Sequence, residues 1–340
     1  MKKILALVCA VLMVFALTAC GETEAPAPSA APAESAAPEQ SAAPAQDAGE
    51  SYVVGVCQLV QHPALDAATE GFKDALTELL GDSVSFVEQN ASGDPATCSV
   101  ICNQFVADEV DLIMANATAS LQAAASATAE IPILGTSITD YATALDAENW
   151  TGVSGVNISG PSDLAPLDGQ AAMLKELFPE AKTVGILYCS GEPNSKYQAD
   201  TIRPMLEDYG YTVSEYTFAD SNDVSSVTAT ACGECDVLYI PTDNTAASCT
   251  EAINNVALNA KTPIIAGEEG ICKGCGVATL SINYYDLGVT TGKMAAKILT
   301  GEANISEMPI EFTEATPKYN PTMCETLGIE PLDGYTAIED

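Results

Sequence analysis

Polar side chains cluster just beyond several apolar runs of this 340-residue chain. Asn116, Ala117, Thr118 and Ser120 follow one such run, and Thr136, Ser137 and Asp140 follow another. Ser190, Glu192, Asn194 and Ser195 follow a third, Thr242, Asp243, Asn244 and Thr245 a fourth, and Glu268 and Glu269 a fifth. Hydroxyls, amides and carboxylates at the start of a helix can hold small charged groups, because the N–H groups of its first turn are unsatisfied. Taken one at a time, such residues are more ordinarily helix caps and turn formers.

Catalytic and metal chemistry finds little support. The chain has one histidine, His62, which precedes Pro63 and reads as a turn or hydrogen-bonding residue rather than a general base. With a single His there is no poly-His metal site and no ordinary His-based triad. A Gly-rich phosphate loop, a G-x-S-x-G elbow and an H-E-x-x-H helix are all missing. Cys232-Gly233-Glu234-Cys235 and Cys272-Lys273-Gly274-Cys275 form two C-x-x-C pairs among 12 cysteines. A four-thiolate zinc site would need them close, but a strand, a long helix and another strand intervene, more than a zinc ribbon uses. Disulfides in an oxidising compartment or free, buried thiols remain open for Cys57, Cys98, Cys102 and the others. No metal and no cofactor is expected.

The elements that position these residues alternate in type. Tyr52–Gln58 reads as a strand and Ala64–Leu80 as a helix, followed by strands at Val84–Gln89, Leu112–Ala115, Ile133–Gly135 and Thr151–Val156. Helices are expected at Asp94–Asp108 and Thr118–Thr128 between them. The texture repeats: strands at Thr183–Tyr188, Thr212–Tyr216, Asp236–Ile240, Pro263–Ala266 and Val277–Ser281, helices at Asn194–Tyr209, Val224–Ala231, Thr245–Asn259 and Tyr285–Thr300. This alternation predicts an α/β fold of two doubly wound parallel-sheet lobes with a hinge and a central cleft. The expected division is 51–157 with about 282–303 in one lobe, and 158–281 with about 304–340 in the other.

Ahead of this lies an export segment. Lys2 and Lys3 precede an uncharged apolar run from Ile4 to Leu17, too short to span a bilayer. Leu17-Thr18-Ala19-Cys20-Gly21 then resembles a bacterial lipobox, with Cys20 the lipidation site and first residue after removal of 1–19. Residues 20–50 carry that cysteine and an Ala/Pro/Ser-rich tether; more than one acyl chain would give firm anchoring. With 47 Asp+Glu against 12 Lys+Arg and a net charge of −35, nucleic acid is disfavoured as a partner.

Three segments in order carry a family resemblance: His62-Pro63-Ala64-Leu65-Asp66 with Gly71-Phe72, Ile240-Pro241-Thr242-Asp243-Asn244-Thr245, and Tyr284-Tyr285-Asp286-Leu287-Gly288. Together they resemble the substrate-binding lipoproteins of ABC importers of the tryptophan/tyrosine type, over most of Tyr52 to about Ile329. The cysteines and Gln58-Leu59-Val60-Gln61, where an aromatic residue is usual, depart from that pattern. The resemblance implies a type I periplasmic-binding-protein fold. It further implies a lipid-anchored monomer facing outside the cytoplasm, which hands an amino acid to an ABC permease and its ATPase.

An amino acid zwitterion needs neutral donors for its carboxylate and a carboxylate for its ammonium. Asp243 is the preferred ammonium partner, with Glu268 second. Thr118, Ser137, Ser190 and Ser195 are the preferred carboxylate donors. Asp140, Asn194 and Asn244 complete the polar set, and Tyr188, Tyr284 or Gln58 could line a side-chain pocket. Alternatives are a sensory ligand-binding lipoprotein and a secreted α/β enzyme.

Overall fold

The computed structural model describes residues 51–339. The expected export segment, Cys20 and the tether lie outside the described residues. In chain order come β1 (Tyr52–Gln58), α1 (Pro63–Leu80), β2 (Val84–Asn90), α2 (Pro95–Ala107), β3 (Leu112–Asn116), α3 (Thr118–Ala127), β4 (Ile133–Thr136), α4 (Tyr141–Ala144) and β5 (Ile158–Ser159). These form the first lobe. A short β6 (Pro161–Ser162) leads into the second lobe through α5 (Leu167–Leu177), β7 (Thr183–Cys189), α6 (Pro193–Asp208), β8 (Thr212–Phe218) and α7 (Val224–Glu234). That lobe continues with β9 (Val237–Ile240), α8 (Asn244–Ser248), α9 (Thr250–Ala260), β10 (Ile264–Ala266), α10 (Glu269–Cys275) and β11 (Ala278–Ile282). Then α11 (Tyr284–Leu299) returns to the first lobe, followed by β12 (Glu311–Phe312), β13 (Ala315–Tyr319), α12 (Pro321–Leu327) and β14 (Thr336–Ala337).

The first sheet has the order β2-β1-β3-β4-β5 and every pair in it is parallel. Period-2 alternation splits its side chains between two cores. Val54, Val56, Leu112 and Met114 face one core with Phe72 of α1 and Met294 of α11. Cys57, Ile113 and Ala115 face the other, against Phe105 of α2 and Leu121 of α3. The second sheet has the order β14-β13-β11-β10-β9-β7-β8, parallel from β8 to β11 and antiparallel between β11 and β13. Val184, Ile186, Tyr188 and Tyr239 pack under α5 and α6, while Leu187, Leu238 and Ile240 pack under α7, α9 and α10.

The chain crosses between lobes three times: after β5, at Asn283 between β11 and α11, and after β12. Two of these crossings lie side by side, because β6 pairs in parallel with β12. Ser159 pairs within the first sheet, and Ile305 and Ile310 are buried in the first lobe's cores. The first lobe therefore keeps residues to Ser159 and from about 304 to Ile310. Their apolar side chains, which the alternation of strand and helix does not register, fill that lobe.

Two element expectations also change. Residues 151–156 form no strand; only Val153 makes an isolated bridge, to Pro309. The helix expected over Thr245–Asn259 breaks at Cys249 into α8 and α9.

Candidate functional site

Parallel strands deliver their C-terminal ends to one edge of each sheet, and the two edges face each other. Between them lies a narrow pocket. His62, Leu65, Ser137 and Thr139 of the first lobe line it, as do Asn194, Thr242, Asp243, Asn244, Ala247 and Glu268 of the second. Asp163, on the crossing after β6, and Tyr284, at the start of α11, complete the wall.

The lobes touch directly around this cavity. His62 Nε2 lies 3.2 Å from Asn244 Oδ1, and the hydroxyls of Thr139 and Thr242 are 3.4 Å apart. Gln198 on α6 reaches Thr139 Oγ1 at 3.4 Å. The cleft is closed in this conformation.

The charge around the cavity is one-sided. Asp163, Asp243 and Glu268 line it and no lysine or arginine does. Burial pushes the carboxyl of Asp163 up to about 6, partly offset by the hydroxyls of Tyr284 and Thr139. Burial pushes Glu268 up to about 7, against the opposing pull of the Gly270 and Ile271 N–H groups. Asp243 is pushed up to about 8 by burial and by the neighbouring Glu192, although backbone and Ser195 donors pull the other way. A buried acidic cavity without a lysine or arginine among its described lining favours a ligand that brings positive charge.

Hydrogen bonding separates these three acids. Asp243 is saturated: Cys189 N and Ser195 Oγ donate to Oδ2, and Ala246 N donates to Oδ1, each at 2.7 Å. It caps α8 and ties that helix to the end of β7. Glu268 caps α10, accepting from Gly270 N at 2.6 Å and from Ile271 N. Asp163 accepts the Tyr284 hydroxyl at 2.9 Å on Oδ2, and its Oδ1 is buried without a partner. Ser137 Oγ and His62 Nδ1 are likewise buried on the cavity wall without partners. Buried polar atoms are almost always paired, so three orphans on one wall leave hydrogen-bonding positions open to a polar ligand. Ser137 reaches it from a left-handed backbone, φ +57°, immediately after β4.

Of the residues singled out in the sequence, Ser137, Asn194, Asp243, Asn244 and Glu268 meet at the cavity, as does Tyr284. Six do not line it. Gln58 sits in a groove on the first lobe, bound to Asp66 Oδ1 at 2.7 Å and to Thr69. Thr118 is buried at the start of α3. Asp140 caps α4 through Thr143 N at 2.7 Å. Tyr188 points into the α5–α6 core and donates to Glu215 at 2.6 Å, because strand parity turns it away. Ser190 is exposed and donates to Phe218 O at 3.2 Å. Ser195 supports Asp243 from behind. Asp163 lies on a crossing segment, and an acid beside the short Pro161-Ser162 strand carries no junction signal. His62 and Thr139 also line the cavity without such a signal.

The ten cysteines among the described residues are free thiols. Among those residues no group of His, Cys, Asp and Glu is arranged to hold a metal ion.

Residues 53–333 match the model of the family described as ABC transporter substrate binding protein. The chain belongs to this family. A tyrosine-binding protein of Clostridioides difficile is 37% identical over 266 residues, covering 77% of this chain and 76% of the relative. A solved domain from Streptococcus pneumonia in complex with L-Trp has a TM-score of 0.81 at 31% identity, covering 85% of this chain and all of that one. A ligand-free, open substrate-binding protein with adhesive properties from Clostridium difficile gives 0.65 at 36% identity, covering 85% of this chain and 99% of that one. The higher identity goes with the lower structural agreement, as expected when a closed substrate-binding protein is laid over an open one. This substrate-binding protein therefore has the type I periplasmic-binding-protein fold and works as the substrate-binding component of an ABC transporter. Among the described residues no helix is long and apolar enough to cross a membrane.

Proposed function

We propose that this substrate-binding protein captures a zwitterionic aromatic amino acid, tyrosine or tryptophan, between its lobes and releases it unchanged to an importer's permease. The observation that supports this most directly is Asp163, a buried carboxyl with one oxygen unpartnered in a cavity that three acids line and, among the described residues, no lysine or arginine does. The ligand's ammonium pairs with Asp163. The Ser137 hydroxyl, free of protein partners, donates to the ligand's carboxylate. Leu65, Tyr284 and Ala247 supply apolar surface for the side chain. Asp243 and Glu268 hold the second lobe's wall in place by capping α8 and α10. The tyrosine-binding relative and the L-Trp-bound neighbour support the aromatic class.

The lobes, divided near residues 160, 283 and 313, close on the ligand by rotation about the three crossings, driven by tighter ligand binding in the closed form. Outside the cytoplasm, acylation of Cys20 anchors a monomer to the membrane. Replacing Cys20 by Ala should release the protein from the membrane fraction.

Calorimetric titration with L-tyrosine and L-tryptophan tests the central reading. At least one binds wild-type protein and is recovered intact, and Asp163→Asn weakens it about a hundredfold, the loss expected when a buried charge loses its partner. Failure of every common amino acid to bind, or conversion of the ligand, rejects it.

A further inference from the structure

We infer that His62 selects the ligand by hydrogen-bond polarity: its ring carries a proton on Nε2, binds across the cleft through it, and offers bare Nδ1 to the cavity as an acceptor. The inference deepens the amino-acid reading above and rests on it. It begins with Glu192 at the head of α6. That carboxylate accepts from Asn244 N at 2.9 Å, Asn244 Nδ2 at 2.7 Å and Asn194 Nδ2 at 3.2 Å on one oxygen. Its other oxygen accepts from Thr245 N and Thr245 Oγ1, both at 2.8 Å. Both of its oxygens are taken up by N–H and O–H donors, so the Asn244 amide turns its NH₂ toward Glu192. Its Oδ1 then faces His62 Nε2 at 3.2 Å. An acceptor opposite Nε2 requires the proton to be there.

The ring is 6% exposed, and burial lowers its affinity for a second proton despite the pull of Asn244, Glu192 and Asp66. Nδ1 therefore presents a lone pair, and it is buried on the cavity wall without a partner. A ligand carboxylate placed there would set lone pair against lone pair. An ammonium N–H or a phenol O–H would complete the site. Because Nε2 holds Asn244 of the opposite lobe, a ligand that satisfies Nδ1 binds only the conformation in which this bridge is made. Ligand polarity and cleft closure thus meet on one ring.

His62 is the chain's only histidine, so the imidazole nitrogen spectrum of ¹⁵N-histidine-labelled protein, purified without a histidine tag, contains a single ring. The expected spectrum is the neutral ring with Nε2 protonated and Nδ1 bare. Addition of L-tyrosine or L-tryptophan should move the Nδ1 resonance in the direction of an accepted hydrogen bond. His62→Gln, which can keep the bridge but lacks the second nitrogen, should bind the same amino acid about tenfold more weakly or worse. A proton on Nδ1 in the complex, or unchanged affinity in His62→Gln, overturns the inference while leaving the amino-acid reading standing. If neither amino acid binds wild-type protein, that reading fails. The ligand-free spectrum then decides the tautomer alone, and a proton on Nδ1 overturns the inference there too.

Discussion

Three carboxyl groups sealed between two lobes give this protein a pH dependence opposite in direction to that of a salt-bridged acid. In the unfolded chain Asp163 and Asp243 release their protons near 3.8 and Glu268 near 4.5; in the fold they hold them to about 6, 8 and 7. Over that window the folded state binds more protons, so stability is greatest at the acidic end and falls as pH rises through 6 to 8. A bound ammonium relieves the repulsion among the ionised groups. Thermal unfolding with and without L-tyrosine should therefore show a lower ligand-free melting temperature at pH 8 than at pH 5, and a larger ligand-induced rise at pH 8. A ligand-free melting temperature that climbs across this range would contradict the assignment of these groups as buried acids without a cationic partner. Residue types were legible in the sequence, but their duties were not. Asp243 and Glu268 stand out in the sequence as acids at strand exits, and the structure shows both occupied as caps. Asp163, half-free and facing the cavity, was hidden because its neighbours predict neither a strand exit nor a helix start.

At the scale of elements, α1 and α11 dock backbone to backbone. A Cβ on Gly71 would come within 2.1 Å of Tyr285 O, and one on Gly288 within 2.0 Å of Ala68 O. These glycines allow the first lobe's layer to lie flat over Val54, Val56 and Met114. Gly288→Ala must push the helices apart and should cost about 1–3 kcal/mol of stability, read as a lowered denaturation midpoint. Gly233→Ala is the control: it lies in α7 with nothing within 4 Å of the added carbon, and should be neutral or stabilising by about 0.5–1 kcal/mol. Equal losses in both would refute the packing argument. Most elements could be read from the sequence, since β1 and α1 begin and end at a change of period, a proline or a glycine. The break at Cys249 could not, because nothing in Ser248-Cys249-Thr250 opposes a helix locally. The interruption comes from α8 being pinned by Asp243 and Glu192 while α9 packs on α7 and α10.

The whole molecule is in its closed form, with His62–Asn244 and Thr139–Thr242 joining the lobes across the cavity. These neutral bonds are each worth only about 1 kcal/mol, too little to hold two lobes shut against the freedom they gain on opening. Small-angle scattering should show a larger radius of gyration in ligand-free solution than with saturating L-tyrosine. Asn244→Ala, which removes the bridge from both Glu192 and His62, should need more ligand to reach the compact form. A radius unaffected by ligand would mean that closure and binding are uncoupled.

By itself the sequence determined the alternation of strand and helix, the two-lobed α/β architecture and the family, because period, turn residues and the order of short motifs are local properties. Only the tertiary structure decided which polar residues share the cavity. Strand parity sends Tyr188 to a core and leaves Asp243 at the edge, and crossings bring Asp163 beside Tyr284, 121 positions away. A site assembled from two sheet edges and a crossing segment is defined by distances between residues remote in sequence, and no spacing along the chain encodes those.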